Sequence, residues 1–169
     1  MKLISDYYKH QNQKLHEENP KYGKRGNRHL PTLYKLMREY KCKEILDYGC
    51  GKGFLSKSSK YPVQNYDPAI PEYDIDPVPS DMIVCTDVLE HIEPELLDNV
   101  LEHIHSLTIK CAYFVIATRP DNSKTLPDGS NPHKIVQDPE WWLMKLSKKF
   151  AVVDWKVKKG EVQIVCIPS

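Results

Sequence analysis

Hydrophobic positions along this chain follow two different periods, and the change of period marks the elements. From Leu30 the apolar residues Leu33, Leu36, Met37 and Tyr40 recur three and four apart, the spacing of one helical face, and Pro31 suits a first turn. Pro94 opens a second such stripe through Leu96, Leu97, Val100, Leu101, Ile104 and Leu107. Asp138-Pro139 caps a third helix through Trp142, Leu143 and Leu146. Between them, short apolar runs at Glu44–Asp47, Val63–Tyr66, Met82–Cys85 and Tyr113–Ala117 predict strands, with a short helix from Phe54 that Pro62 stops. Ala151–Trp155 and Val162–Ile167, on either side of Lys159-Gly160, predict a hairpin. Residues 1–28 are polar, with turn signals at Asn19-Pro20, Gly23 and Gly26, and predict an irregular arm. The expected organisation is an N-terminal arm over 1–29 and one domain over 30–169.

Strands alternating with helices predict an α/β fold, a mostly parallel sheet with helices on both faces, closed by a C-terminal antiparallel hairpin. The length of 169 residues suits one domain. A net charge of +1 argues against a nucleic-acid binder driven by bulk positive field. The charge is nonetheless blocked: residues 1–44 hold eleven Lys/Arg against five Asp/Glu, whereas 63–102 hold eleven acids and no Lys or Arg. Such blocks read as solvated faces or as an acidic pocket mouth with basic flanks. The five cysteines are scattered without a CxxC pair, which argues against a zinc knuckle or a disulfide framework. MKLISDYYKH has no apolar stretch of signal-peptide length and no window is long enough to span a membrane, so a cytoplasmic location with no membrane partner is expected.

The densest chemistry follows the first strand. Asp47-Tyr48-Gly49-Cys50-Gly51-Lys52-Gly53 lies between a strand and a helix, where glycines let the backbone approach a ligand. The third glycine comes too early for GxGxxG, and the loop is no Walker A. Asp67, at the end of the next strand, stands where an acid in a βαβ unit accepts both hydroxyls of a ribose. Ile45–Gly53, with Asp67-Pro68 and Asp81–Ile92 (DMIVCTDVLEHI), resembles the class I S-adenosylmethionine-dependent methyltransferases over roughly residues 44–167.

The resemblance implies a Rossmann-like sheet with S-adenosylmethionine as cofactor, its methionine part near Asp47, Gly49, Cys50, Gly51 and Gly53 and its ribose on Asp67 beside Pro68. Asp87 and Val88 would border it. Only residues 68–80, with four prolines, stand where the family has a helix, a third strand and another helix. The third-strand region is therefore shortened, and Ile75, between Asp74 and Asp76, is the candidate adenine contact or else part of a plain surface loop. Tyr22 and Gly23, in the arm, are expected to fold over the cofactor.

Asp87, Glu90 and His91 follow the strand at Met82–Cys85 with i, i+3, i+4 spacing, which one helical turn would bring to one face. Three roles remain open: shaping the cofactor pocket, His91 as a general base, or a metal site. The spacing resembles the acidic-histidine cluster of small-RNA 2′-O-methyltransferases and ubiquinone-pathway O-methyltransferases, in which His133 would be a further ligand. The expected catalytic residues are His91 and His133 in one pocket. No tightly held metal is expected, although Asp87, Glu90, His91 and His133 are its candidate ligands. Arg119 could face an anionic group or a surface partner, and Trp141-Trp142 read as core or as substrate wall. The expected activity is methyl transfer to a small-molecule or nucleic-acid acceptor; the alternative is a catalytically silent cofactor-binding regulatory or partner protein.

Overall fold

Six strands form one sheet in the order β2-β1-β3-β4-β6-β5. The structure is a computed structural model and describes residues 1–22 and 26–169. Strands β1 (Ile45–Tyr48), β2 (Val63–Tyr66), β3 (Ser80–Thr86) and β4 (Thr108–Ala117) run parallel. Strands β5 (Phe150–Lys158) and β6 (Glu161–Pro168) form the hairpin, and β6 lies antiparallel to β4. The expected fold class is the one observed.

Alternation along the central strands sends side chains into two separate cores, which is why those strands read as continuous apolar runs. Ala112, Phe114 and Ile116 of β4 face a core covered by α4 (Leu97–Leu107) and α5 (Pro139–Ser147), while Cys111, Tyr113 and Val115 face the other. There α2 (Leu30–Glu39) buries Leu33, Leu36 and Met37, and α3 (Phe54–Ser58) adds Leu55. Asp138 caps α5 as expected, accepting from the Trp141 N–H at 2.8 Å. Strand β4 starts at Thr108, five residues ahead of the predicted run. The expected helix at Pro94 begins instead as a 3-10 turn over Pro94–Leu96 that leads into α4. Between β2 and β3 the chain has one 3-10 turn, Pro71–Tyr73, and no strand, so this region is short as expected.

The N-terminal segment corrects the sequence reading. Residues predicted to be irregular contain a thirteen-residue helix, α1 (Asp6–Glu18). Ser5 caps it, accepting from the Tyr8 N–H at 3.1 Å. Its buried residues are Tyr8, Gln11, Asn12 and Leu15, so half of the inward stripe is polar and the apolar period is hidden. Tertiary contacts hold it. The Ser5 N–H and hydroxyl both donate to the Glu93 carboxylate, the Tyr8 hydroxyl donates to the Pro132 carbonyl, and the Lys9 ammonium pairs with Asp74. Among the described residues no helix is long and apolar enough to cross a membrane.

Candidate active site

The carboxyl ends of β1, β3 and β4 open into a cavity of about 660 Å³, roofed by α1. That edge of an open parallel sheet is where ligands bind in α/β folds. At its first wall β1 ends and the chain turns at Gly49, whose N–H donates to the Tyr66 carbonyl at 2.7 Å. Gly49 has φ +80°, and a Cβ there would lie 2.3 Å from Cγ2 of Val88. Only glycine lets the backbone take that turn this close to Val88.

Asp67 ties the loop down. Its Oδ2 accepts from the Gly51 N–H and its Oδ1 from the Ala69 N–H, both at 2.9 Å. Burial raises its pKa, while these two N–H groups act against the rise. Asp47, buried in β1, is pushed up to about 7, chiefly by desolvation and then by Asp67. Each carboxylate oxygen of Asp67 keeps lone-pair capacity beyond its one backbone donor, which a pair of ribose hydroxyls could use.

The opposite wall grows from the end of β3. Asp87 adopts φ +56°, a left-handed conformation that Asp tolerates better than most residues, and its carboxylate receives the Arg28 guanidinium at 3.2 Å. Arg28 also holds Glu161 of β6 at 3.2 Å. The chain then makes a 3-10 turn over Leu89–His91. Within it Glu90 is fully buried; its Oε1 accepts from the Ala117 N–H at 3.0 Å and its Oε2 has no partner. Burial, with Asp87 next in effect, pushes the Glu90 carboxyl up to about 8. Desolvation lowers His91 to about 3, with His133 adding to the fall.

The ring of His133 stands 4.7 Å from that of His91, edge to face. Its Nδ1 lies 2.5 Å from the Arg119 carbonyl oxygen. A carbonyl only accepts, so Nδ1 carries a proton, and in the neutral ring Nε2 keeps the lone pair. The structure thus brings His91 and His133 into one cavity.

The expected face of Asp87, Glu90 and His91 does not form. Glu90 turns beneath the site to β4, while Asp87 faces Arg28. One ligand atom each from Glu90, His91 and His133 lies within 4.8 Å of the others, a set of mixed nitrogen and carboxylate type that fits a transition metal; Asp87 is outside this group.

Of the expected cofactor residues, Tyr22, Asp47, Gly49, Cys50, Gly51, Asp67, Pro68, Asp87 and Val88 line the cavity. Gly53 does not: it starts α3, where a Cβ would meet the Tyr73 hydroxyl at 2.9 Å. Ile75 is 70% exposed and lies off the cavity. Leu3 and Ile4, clasped by the bonds from Ser5 to Glu93, supply apolar wall instead. Gly23 lies outside the described residues. Trp142 is fully buried in the core and Trp141 packs edge-on against it; neither lines the cavity. Arg119 does line it.

Sequence reasoning missed Tyr8, Asn12 and His16, which face the cavity from successive turns of α1. Their spacing of four was the available signal. His16 is lowered to about 4 by desolvation, and its ring lies 4.8 Å from that of Tyr22, itself 6.5 Å from His91.

No protein-family profile and no curated protein matches this sequence. Solved structures do match. The complex of DhpI with SAH aligns with a TM-score of 0.70 at 16% identity, covering 98% of this chain and 99% of that one. The N-methyltransferase NodS from Bradyrhizobium japonicum WM9, in complex with S-adenosyl-L-homocysteine, gives 0.66 at 12% identity over 95% of this chain and 98% of its own. The 1,6-didemethyltoxoflavin-N1-methyltransferase of Burkholderia thailandensis, with bound 1,6-didemethyltoxoflavin and S-adenosylhomocysteine, gives 0.57 at 17% identity over 82% of this chain and 77% of that one. The fold is the Rossmann-like methyltransferase fold. It is here without the strand that would lie beyond β2.

Proposed function

We propose that this protein is an S-adenosylmethionine-dependent methyltransferase acting on a small-molecule acceptor. The observation that carries the reading is one cavity joining two unlike ends, the Gly49–Gly51 backbone cradle with Asp67 and the paired imidazoles of His91 and His133. Its volume of about 660 Å³ lies within the roughly 300–1,000 Å³ of small-molecule sites. The structures of similar fold include N-methyltransferases with S-adenosylhomocysteine bound, which supports the same cofactor here. The reading places the protein in the cytoplasm, where five unpaired, buried cysteines stay reduced.

Asp67 would hold the ribose, and the glycine cradle with Asp47 would hold the amino-acid part. The cofactor supplies an electrophilic methyl group on a sulfonium. The protein's part is to position the acceptor in line, exclude water under α1 and remove the acceptor's proton. His133 is suited to the last task, since the Arg119 carbonyl holds its Nδ1 proton and leaves Nε2 free. His91, lowered to about 3, stays neutral and acts as a positioning partner. Glu90, fully buried with its Oε1 accepting from the Ala117 N–H, backs the two imidazoles, and we assign Glu90, His91 and His133 to proton handling and positioning.

Titration calorimetry with S-adenosylhomocysteine tests the cofactor, and Asp67→Ala should weaken binding at least about tenfold, as expected for lost hydrogen bonds to a charged acceptor. An unmeasurable affinity in the folded wild type would overturn the reading. Release of S-adenosylhomocysteine across panels of amines, phenols, acids and nucleic acids tests turnover; binding without turnover on any panel would support a silent cofactor binder. EDTA should leave turnover and cofactor affinity unchanged, whereas loss of turnover with cofactor retained would assign Glu90, His91 and His133 to a metal.

A further inference from the structure

The edge strand β5 carries a pattern that the proposed activity does not use. From Val153 to Lys158 it is exposed, with Trp155 at 56%, Val157 at 55% and Val153 at 43%. Its other side pairs with β6, so this edge offers unpaired backbone N–H and C=O groups. We infer that β5 pairs antiparallel with β5 of a second copy about a two-fold axis at Trp155, joining two six-stranded sheets into one.

The charge pattern selects a second copy as occupant. With Trp155 opposite its own counterpart, residue 154 faces residue 156 of the other copy, both within the regular stretch of β5 beyond the bulge. Two Asp154–Lys156 ion pairs form. Asp154 and Lys156 have no charged neighbour across the hairpin, where they face Val165 and Gln163 of β6. Opposite charges directly across strands stabilise a pair and like charges oppose it. The features that usually guard an edge are present as well: Lys156, Lys158 and a register shift between Val152 and Asp154. In this register Asp154 meets Lys156, on the same face of β5, and Lys156 does not meet another lysine. The contact is isologous, so it closes at two copies.

Sedimentation equilibrium of the full chain tests this. The wild type should be a reversible dimer. Asp154→Lys alone places lysine opposite lysine, and Lys156→Asp alone places aspartate opposite aspartate; each should weaken dimerisation about tenfold. The combined variant carrying both changes restores opposite charges in reversed order and should recover wild-type dimerisation. Trp155→Ser should give a monomer with an unchanged circular dichroism spectrum. A wild type that stays monomeric at its highest soluble concentration would overturn the inference and assign Lys156, Lys158 and the bulge to edge protection. A dimer indifferent to both single charge changes would place the interface elsewhere. None of these outcomes depends on cofactor binding.

Discussion

Glu90→Gln is expected to make the protein more stable than wild type above pH 7, with a gain that grows toward pH 8. The carboxyl is fully buried and pushed up to about 8 from an ordinary 4.5, so it is neutral in the folded chain over a range where the unfolded chain has lost the proton. The unfolded state then binds fewer protons than the folded one, and stability falls as pH rises from 4.5 to about 8. At about 1.4 kcal/mol per pH unit for one group, the loss between pH 6.5 and 8 is about 2 kcal/mol. Asp47, raised to about 7, adds loss of the same sign up to that pH. The histidines oppose this at lower pH. His91 is depressed to about 3 and His16 and His29 to about 4, so the unfolded chain gains protons there that the folded chain does not. Their contribution is present above 6.5 and is lost as pH falls toward 3. Stability therefore crests between about pH 6 and 6.5. Glutamine keeps the oxygen that accepts from the Ala117 N–H, and its amide can donate where Oε2 has no partner. Urea unfolding from pH 5 to 8.5 reads the effect. Parallel profiles for the two proteins, or a less stable variant at pH 8, would show that Glu90 is ionised in the folded state.

The parts of this molecule that were legible in the sequence are those governed by short-range pattern. The strand runs of β1 to β4 are apolar because both faces of the sheet are covered, and α2 and α4 show their stripes because one face meets only side chains of the core. The Gly49–Gly53 loop was legible because backbone approach requires glycine, and Asp67 because it ends the next strand. What stayed hidden depends on contacts distant in sequence. Helix α1 has a polar inner face because it faces a cavity, and its partners Glu93, Asp128 and Pro132 lie far along the chain. The adenine candidate Ile75 failed for the complementary reason. A proline-rich segment holds it outward, and Leu3 and Ile4 reach the cavity through a clasp at Glu93 that no local pattern announces. The Asp87-Glu90-His91 spacing predicts one face of an α-turn; the chain instead makes a 3-10 turn only over Leu89–His91, which leaves Asp87 with Arg28 and keeps Glu90 near His91.

The cradle itself predicts the largest effect of a single methyl group. Gly49→Ala places a residue with a side chain at φ +80° and puts its Cβ 2.3 Å from Cγ2 and 3.0 Å from Cγ1 of Val88. The conformation costs about 1–2 kcal/mol in a residue other than glycine, and forcing extra volume against a packed side chain adds about 1–3 kcal/mol. A stability loss of about 2–5 kcal/mol is therefore expected in urea unfolding. The two components separate by a cycle. Val88→Ala removes both atoms in the clash, so the double variant should recover the packing part and retain the backbone part, giving a favourable coupling of at least about 1 kcal/mol. Val88 lines the cavity, so relief of the clash by its displacement reshapes the wall that the proposed cofactor would meet. Gly49→Ala should therefore lose affinity for S-adenosylhomocysteine beyond what Val88→Ala loses. Additive stability changes would show that the turn, and not Val88, is what requires glycine. A fully stable Gly49→Ala protein with unchanged affinity would show that the backbone here does not need the approach to Val88 on which the cradle depends.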